Sequence, residues 1–261
     1  MDIKEQKVAG KRNHPWEYAR GRVVNSLVKP YLSDNDTQKL VLDVGCGDVF
    51  FLSRFHDEFP NSQLIAIDTA FDNEIIDFLK NKYSHYPIDY VKNIDEVGDK
   101  KVSVVFLLDV LEHIENASVF LKTLVEKSFI GKDTLFVISV PAYQALFVEH
   151  DRWLGHYRRY SRKTLAETVR VAGLQQLSGG RGHFFFSLFL IRALQKVMEF
   201  FIKPKTVTGI GSWNGGKIVS SLYENALVLD FRLCHLLNKI GIHLPGLSTY
   251  SISKPINPKK L

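Results

Sequence analysis

The chain is poor in cysteine. Cys46 and Cys234 are its only two, too few for a disulfide framework, and their scarcity points to a reducing compartment. Long apolar runs are lacking as well. No stretch reaches the ~18 uninterrupted apolar residues of a spanning helix. The nearest, Phe184 to Ile202, is broken by Arg192, Lys196 and Glu199. The opening MDIKEQKVAGKRNHPWEYARGR is polar and charged, without the apolar core of a signal peptide. A cytoplasmic protein is therefore expected, and contact of segment 184–202 with the inner face of a membrane is left open. HxxxH and CxxC spacings are missing from every recognisable element, so no metal site is expected. No GxSxG elbow follows a strand, which speaks against a Ser-His-Asp hydrolase. Internal repeats and low-complexity tracts are absent too.

What is present suits a soluble globular chain. Its 261 residues allow one large α/β domain, or a medium domain with an insertion. Hydrophobic residues make up 45% and charged ones 24%, which excludes collagen-like and disordered classes. Lys and Arg total 34 against 28 Asp and Glu, a net +6 that permits an anionic partner without demanding one. Strands and helices alternate, which signals a doubly wound, Rossmann-like, mostly parallel sheet of seven strands with the last one antiparallel. Strands are expected at Leu40–Val44, Leu64–Asp68, Ile88–Val91, Val102–Asp109, Thr134–Val140, Leu174–Ser178 and Leu247–Ser253. Helices are expected at Phe50–Glu58, Glu74–Tyr83, Ala117–Phe129 and Lys163–Ala172. Two longer helical segments, Phe184–Lys203 and Lys217–Ile240, read as an antiparallel hairpin inserted before the last strand. The first has a polar stripe of Arg192, Lys196, Glu199 and Lys203. The second has an apolar seam of Leu222, Ala226, Leu229, Leu233, Leu236 and Ile240. The chain thus divides into a helical cap (1–38), an α/β core (39–182), the hairpin (183–245) and a last strand with its tail (246–261).

The run VLDVGCGDVFFL carries the strongest signal. A strand ends at Val44, Gly45 and Gly47 make a tight turn, and a helix begins, so backbone N–H groups face a ligand closely. A dinucleotide fingerprint needs a third glycine where Phe50 stands, which weakens a nicotinamide or flavin reading. Asp43 precedes the turn, and Asp68 ends the next strand 25 residues later, where an acid is placed to hold ribose hydroxyls.

VLDVGCG, IAID, FLLDVLEHIEN and ISVP, taken together, resemble the successive motifs of class I S-adenosylmethionine-dependent methyltransferases. The ubiquinone-methylase-like branch (methyltransferase domain types 11, 12 and 23) is the most similar. The resemblance runs from about His14 to the C-terminus. It implies S-adenosyl-L-methionine as cofactor, with Asp43, Gly45 and Gly47 along its methionine part and Asp68 on its ribose. It further implies Asn93, or else Asp95, at the adenine edge and Asp109 beside the cofactor. The helix in HPWEYARGRVV would close over the cofactor, with Arg20 or Arg22 meeting the carboxylate; Arg22 is the residue chosen. Val49 departs from the pattern, for the family usually has a third glycine there.

Methyl transfer from a sulfonium is an in-line displacement that mainly needs alignment, with a base only when the nucleophile arrives protonated. Candidates for that base and for acceptor binding lie in PAYQALFVEHDRWLGHYRRYS after the fifth strand: His150, His156, Tyr157 and Arg158, with Arg159 as an alternative anion clamp. His113 in LEHIEN is a further candidate. The competing reading makes the segment an ionic latch in which Asp151 pairs an arginine and the histidines are structural. A small-molecule, glycan-related or lipid-linked acceptor, anionic in character, is expected. Nucleic acid is not an expected partner, since no recognition motif and no NPPY-type motif occurs. A scaffold that has kept the fold without the activity, and an RNA methyltransferase, are the rival readings.

Overall fold

The computed structural model describes residues 14–32, 38–201 and 213–256. Seven strands form one sheet: β1 (Lys39–Val44), β2 (Ser62–Ile67), β3 (Ile88–Val91), β4 (Val102–Leu108), β5 (Ile130–Pro141), β6 (Leu174–Phe184) and β7 (Ser248–Pro255). Their spatial order is β3-β2-β1-β4-β5-β7-β6. Strands β1 to β5 are parallel, and β7 runs antiparallel to both its neighbours. The chain winds outward from β1 to β3, then returns to lay β4 on the other flank of β1. Strand order reverses at that junction, and open α/β sheets bind ligands outside the carboxyl ends of the strands at such a point.

Alternation along the strands builds two cores, one per sheet face. Val41, Leu64, Val104, Phe106 and Val137 point to one side, Leu42, Ile65, Val105, Leu107 and Ile138 to the other. Both sets are buried because helices cover both faces, as a parallel sheet requires. The helices are α1 (Pro15–Val28), α2 (Phe50–Glu58), α3 (Asn73–Lys82), α4 (Ala117–Val125), α5 (Glu149–Leu154), α6 (Arg162–Val171), α7 (Phe186–Phe201) and α8 (Lys217–Lys239). Local chemistry starts and stops them. The His14 ring caps α1 with Pro15 in the first turn, Asp72 accepts from Ile75 N–H at 2.8 Å, and Ser161 accepts from Thr164 N–H at 3.1 Å. Gly173, at φ +84°, follows α6.

Three boundaries differ from the sequence reading. The helix expected over Ala117–Phe129 ends at Val125, and β5 starts at Ile130. Strand β6 continues to Phe184, so a division at 182/183 would cut a strand. The ring of Phe184 stacks on Tyr250 at 4.8 Å, which holds the end of β6 to β7. Helix α5 forms inside the segment expected to be a loop.

The helical insertion differs most. Its second helix buries Leu227, Val228 and Phe231, the Phe231 ring lying against Phe184 of β6 at 5.8 Å, and it is tied to α1 by Arg22, which donates to Glu224 (3.0 Å) and Asn225 (2.9 Å). The expected seam faces the other way: Leu222, Leu229, Leu233, Leu236 and Ile240 are 54–69% exposed. A helix of 23 residues has room for two apolar stripes, and periodicity does not say which one turns inward. Helix α7 is joined to α8 where Ser187 donates from N–H and hydroxyl to the Asp230 carboxylate. Most of the 206–216 loop, and Lys203 of the polar stripe, lie outside the described residues.

Candidate active site

The glycine turn is held by backbone. Gly45 and Cys46 both donate to the Ile67 carbonyl, and Gly47 donates to Asp68 Oδ2 at 3.0 Å. Gly45 and Gly47 have φ of +71° and +58°, a region glycine enters without steric cost. A Cβ on Gly45 would also stand 2.8 Å from the Val110 side chain. Asp68 accepts a second bond from Ala70 N–H at 2.9 Å, so its carboxylate closes the β1 turn and its own. Val49 follows at φ +54°, fully buried. It stands where left-handed backbone suits the family's third glycine, and its side chain packs into the core instead of projecting into the crevice.

Acids gather around this turn. Asp43 and Asp48 are buried. Burial pushes the Asp43 carboxyl up to about 7; the nearby charges of Asp68 and Asp48 add to the rise, and Arg20 opposes it. Arg20, on α1, ion-pairs with Asp109 and lies 4.7 Å above the Trp16 ring. Asp109 itself sits at φ +59°, and its Oδ1 is buried without a hydrogen-bond partner. Arg22 is not brought here. Two residues beyond Arg20 it lies about 200° round the helix and is held by α8. This corrects the choice of Arg22 over Arg20: helix phase decides between them. Asn93 follows β3 and is exposed, its side chain accepting from Asp95 N–H at 3.2 Å as the cap of a short turn.

The other half of the edge is built from side chains. Asp151 is almost wholly buried and takes Arg159 in two parallel bonds, Nε to Oδ1 at 2.9 Å and Nη2 to Oδ2 at 3.1 Å. Arg159 also donates to the Ala142 carbonyl. Arg159 is therefore engaged in a buried pair, the Asp151–arginine contact of the latch reading. His156 Nδ1 lies 3.0 Å from Asp151 Oδ1. Burial alone would raise the Asp151 carboxyl, but the bond from His156 and the charge and bonds of Arg159 hold it well below the usual range. An ionised carboxylate only accepts, so the His156 ring donates to it from Nδ1–H.

His156 belongs to a cluster. The His113 and His156 rings meet edge to face at 4.6 Å. Ligand atoms from Glu112, His113 and His156 lie within 4.8 Å of one another. Glu112 has no exposed surface, and neither carboxylate oxygen has a partner from another residue. Burial, then the Asp109 charge, pushes its pKa well up, against Arg20 and Arg159. The trio is a set that a divalent cation or a shared proton could occupy, although the sequence spacing suggested no metal site. His150 stacks on Trp153 at 5.9 Å and stands outside the trio. Tyr157 is 54% exposed, and Arg158 lies beside its ring while donating to the Glu115 carbonyl at 2.6 Å.

Sequence reasoning missed Glu112, Tyr143 and His183. Tyr143, at φ +62°, bonds and stacks with His183, and burial pushes His183 down to about 4, with Arg162 adding to the fall. The signal for Glu112 was a second acid, beside His113, in the short turn LLDVLEHI that follows β4. An open recess lined by Asn61, Gln63, Tyr86 and Asp89 lies at the opposite, amino edge of β2 and β3, away from these groups.

The methyltransferase-domain family model matches residues 16–179, and the chain belongs to that family. The enzyme class and the methyl donor S-adenosylmethionine follow from that membership. Solved structures agree in fold. A SAM-dependent methyltransferase from Archaeoglobus fulgidus is 18% identical, with 90% of this chain and 94% of that one covered and a TM-score of 0.50. Coclaurine N-methyltransferase is 12% identical, covers 90% of this chain and 70% of its own, and has a TM-score of 0.52. The [4+2]-cyclase SpnF is 16% identical, with coverage of 96% and 87% and a TM-score of 0.53. A cyclase among the neighbours is a reminder that fold alone does not dictate chemistry. No curated protein matches in sequence.

Proposed function

We propose that the enzyme methylates a protonated oxygen or nitrogen of a small or lipid-linked acceptor, and that the Glu112–His113–His156 group receives the acceptor's proton. The observation that carries this reading is the setting of His156: Asp151 holds its Nδ1–H, its ring meets that of His113, and Glu112 completes the cluster. A base so held can take the proton as the nucleophile attacks. Arg158, whose guanidinium donates to the Glu115 carbonyl beside the Tyr157 ring, is assigned to an anionic part of the acceptor.

The residues of the other half suit a sulfonium donor. Excess negative charge from Asp43, Asp48 and Asp68 favours a cation, and Asp109 Oδ1 is an orphan acceptor that an ammonium group would satisfy. Asp68 is assigned to the ribose, the Gly45–Gly47 backbone to the methionine portion, and Arg20 to its carboxylate. When bound, the donor supplies the activated methyl group. The residues of this chain align it, keep water out and hold the acceptor's proton.

The test is a comparison of metabolites and lipids by mass spectrometry from cells with and without the gene, paired with calorimetric titration of the donor. A methyl-sized mass difference in one acceptor is expected. Donor binding with no such difference, and no turnover on any extract, would favour the scaffold reading.

A further inference from the structure

We infer that the outer faces of α7 and α8 seat the protein on an anionic lipid bilayer. The two helices leave a large apolar surface uncovered. On α8, Val219, Leu222, Leu229, Leu233, Leu236 and Ile240 are each more than half exposed. On α7, Leu190, Ile191, Leu194, Val197 and Met198 are too. Scattered exposed leucines need no explanation, but two adjoining helices with continuous apolar faces do.

Charge selects the occupant. Arg232 and Lys239, seven residues apart, run along one flank of the α8 stripe, and Lys217 stands at its start, all exposed. The two acids of α8 are turned away: Glu224 pairs with Arg22 and Asp230 with Ser187. The surface is thus apolar with a cationic flank. A second copy would set cations against cations. An anionic leaflet takes the apolar groups below its headgroups and the cations among them. Among the described residues no helix is long and apolar enough to cross a membrane, so the contact lies in the plane of the interface. Helix α7 is pinned to the segment after β5, through Phe189 on Tyr143 at 5.5 Å and Lys196 to the Phe147 carbonyl. Seating therefore brings the acceptor side of the crevice to the lipid, a consequence that rests on the proposed function, whereas the docking itself does not.

Flotation with vesicles of equal parts phosphatidylglycerol and phosphatidylcholine, against phosphatidylcholine alone, tests it without any turnover. The wild-type protein should float with the anionic vesicles and stay down with the neutral ones. Leu229→Glu with Leu233→Glu should abolish flotation while the unfolding temperature and the heat of donor binding stay unchanged. Arg232→Glu with Lys239→Glu should cut anionic flotation severalfold. Wild-type protein that stays soluble with both vesicles overturns the proposal, as does a leucine double variant that floats normally. A stable dimer in sedimentation that the leucine variant breaks, with no flotation, assigns the face to a second copy instead. Flotation in a protein that binds no donor would sink the transferase reading and leave docking standing.

Discussion

The two halves of the carboxyl edge are built by different means. On the β1–β2 side the work is done by backbone: glycines at positive φ, N–H groups on Asp68, and a turn fixed within a few residues. On the β4–β5 side it is done by buried side chains drawn from separate loops, with Glu112 and His113 meeting Asp151, His156 and Arg159. A backbone site tolerates change beside it and fails when a Cβ is added. A buried ionic site fails when any partner is removed, because the survivors are left charged and dry. Substitutions in the two halves should therefore differ in what they damage.

The largest effect should come from the base. His156→Gln is expected to lower kcat by roughly 10²–10⁴-fold, the usual yield of general base catalysis, with donor affinity unchanged. Equal loss in kcat and donor affinity would dissolve the division between the halves. Restoration of full activity by an added divalent cation in wild type, lost in Glu112→Gln, would recast the trio as a metal seat. Next is the latch. Arg159→Met leaves Asp151 buried beside His156 without its guanidinium, and should cost about 3–5 kcal/mol of stability in chemical denaturation. A loss below about 1 kcal/mol, the size of an exposed pair, would mean that water reaches Asp151.

On the donor side, Asp68→Ala removes an acceptor assigned to two hydroxyls and frees the Gly47 N–H. Loss of charged hydrogen bonds predicts about 1.5–3 kcal/mol of donor affinity, read by calorimetry, and the buried Gly47 N–H left without its acceptor costs about 1–3 kcal/mol of stability besides. Unchanged affinity would sink the ribose assignment. Asp43 gives a smaller, pH-dependent effect. Its carboxyl, pushed up to about 7 by burial, holds a proton below that value. A cationic donor favours the ionised form, so binding releases the proton, and donor affinity should rise as pH rises through about 7 and then level off. Asp43→Asn should flatten that rise. A rise that persists in the variant belongs to another group.

The same contrast decides what could be read from the sequence. Strand ends, the glycine turn and Asp68 were legible because apolar runs and one short motif carry them, and β1 and α2 start or stop within a residue of expectation. The choice between Arg20 and Arg22 needed helix phase relative to the sheet. The Glu112 cluster needed contacts between residues about 40 apart in the chain. The ionic latch was visible as a composition, yet only the fold shows which arginine it consumes. For α8, periodicity found a seam and could not see that Leu227 and Phe231 on the opposite face are the buried ones.

The smallest effect sits at Val49, where the halves' two kinds of constraint coincide. Left-handed backbone costs a β-branched residue roughly 1–2 kcal/mol, yet the side chain is fully buried in the core. Full burial of a valine is worth roughly 1.5–3 kcal/mol, so packing outweighs strain and valine is retained. Val49→Ala gives up two methyl groups, about 1.6 kcal/mol at ~0.8 each, and keeps most of the strain. Val49→Gly gives up one more carbon, about 0.8 kcal/mol, and sheds the strain. The usual order for a core site, with glycine worse than alanine, should vanish or reverse here: Val49→Ala should lie about 1.6 kcal/mol below wild type and Val49→Gly about 0.4–1.4 kcal/mol below it. Donor affinity should hold in both, since the side chain points into the core. If Val49→Gly is instead the weaker fold by a full kcal/mol, the turn is not held left-handed in solution.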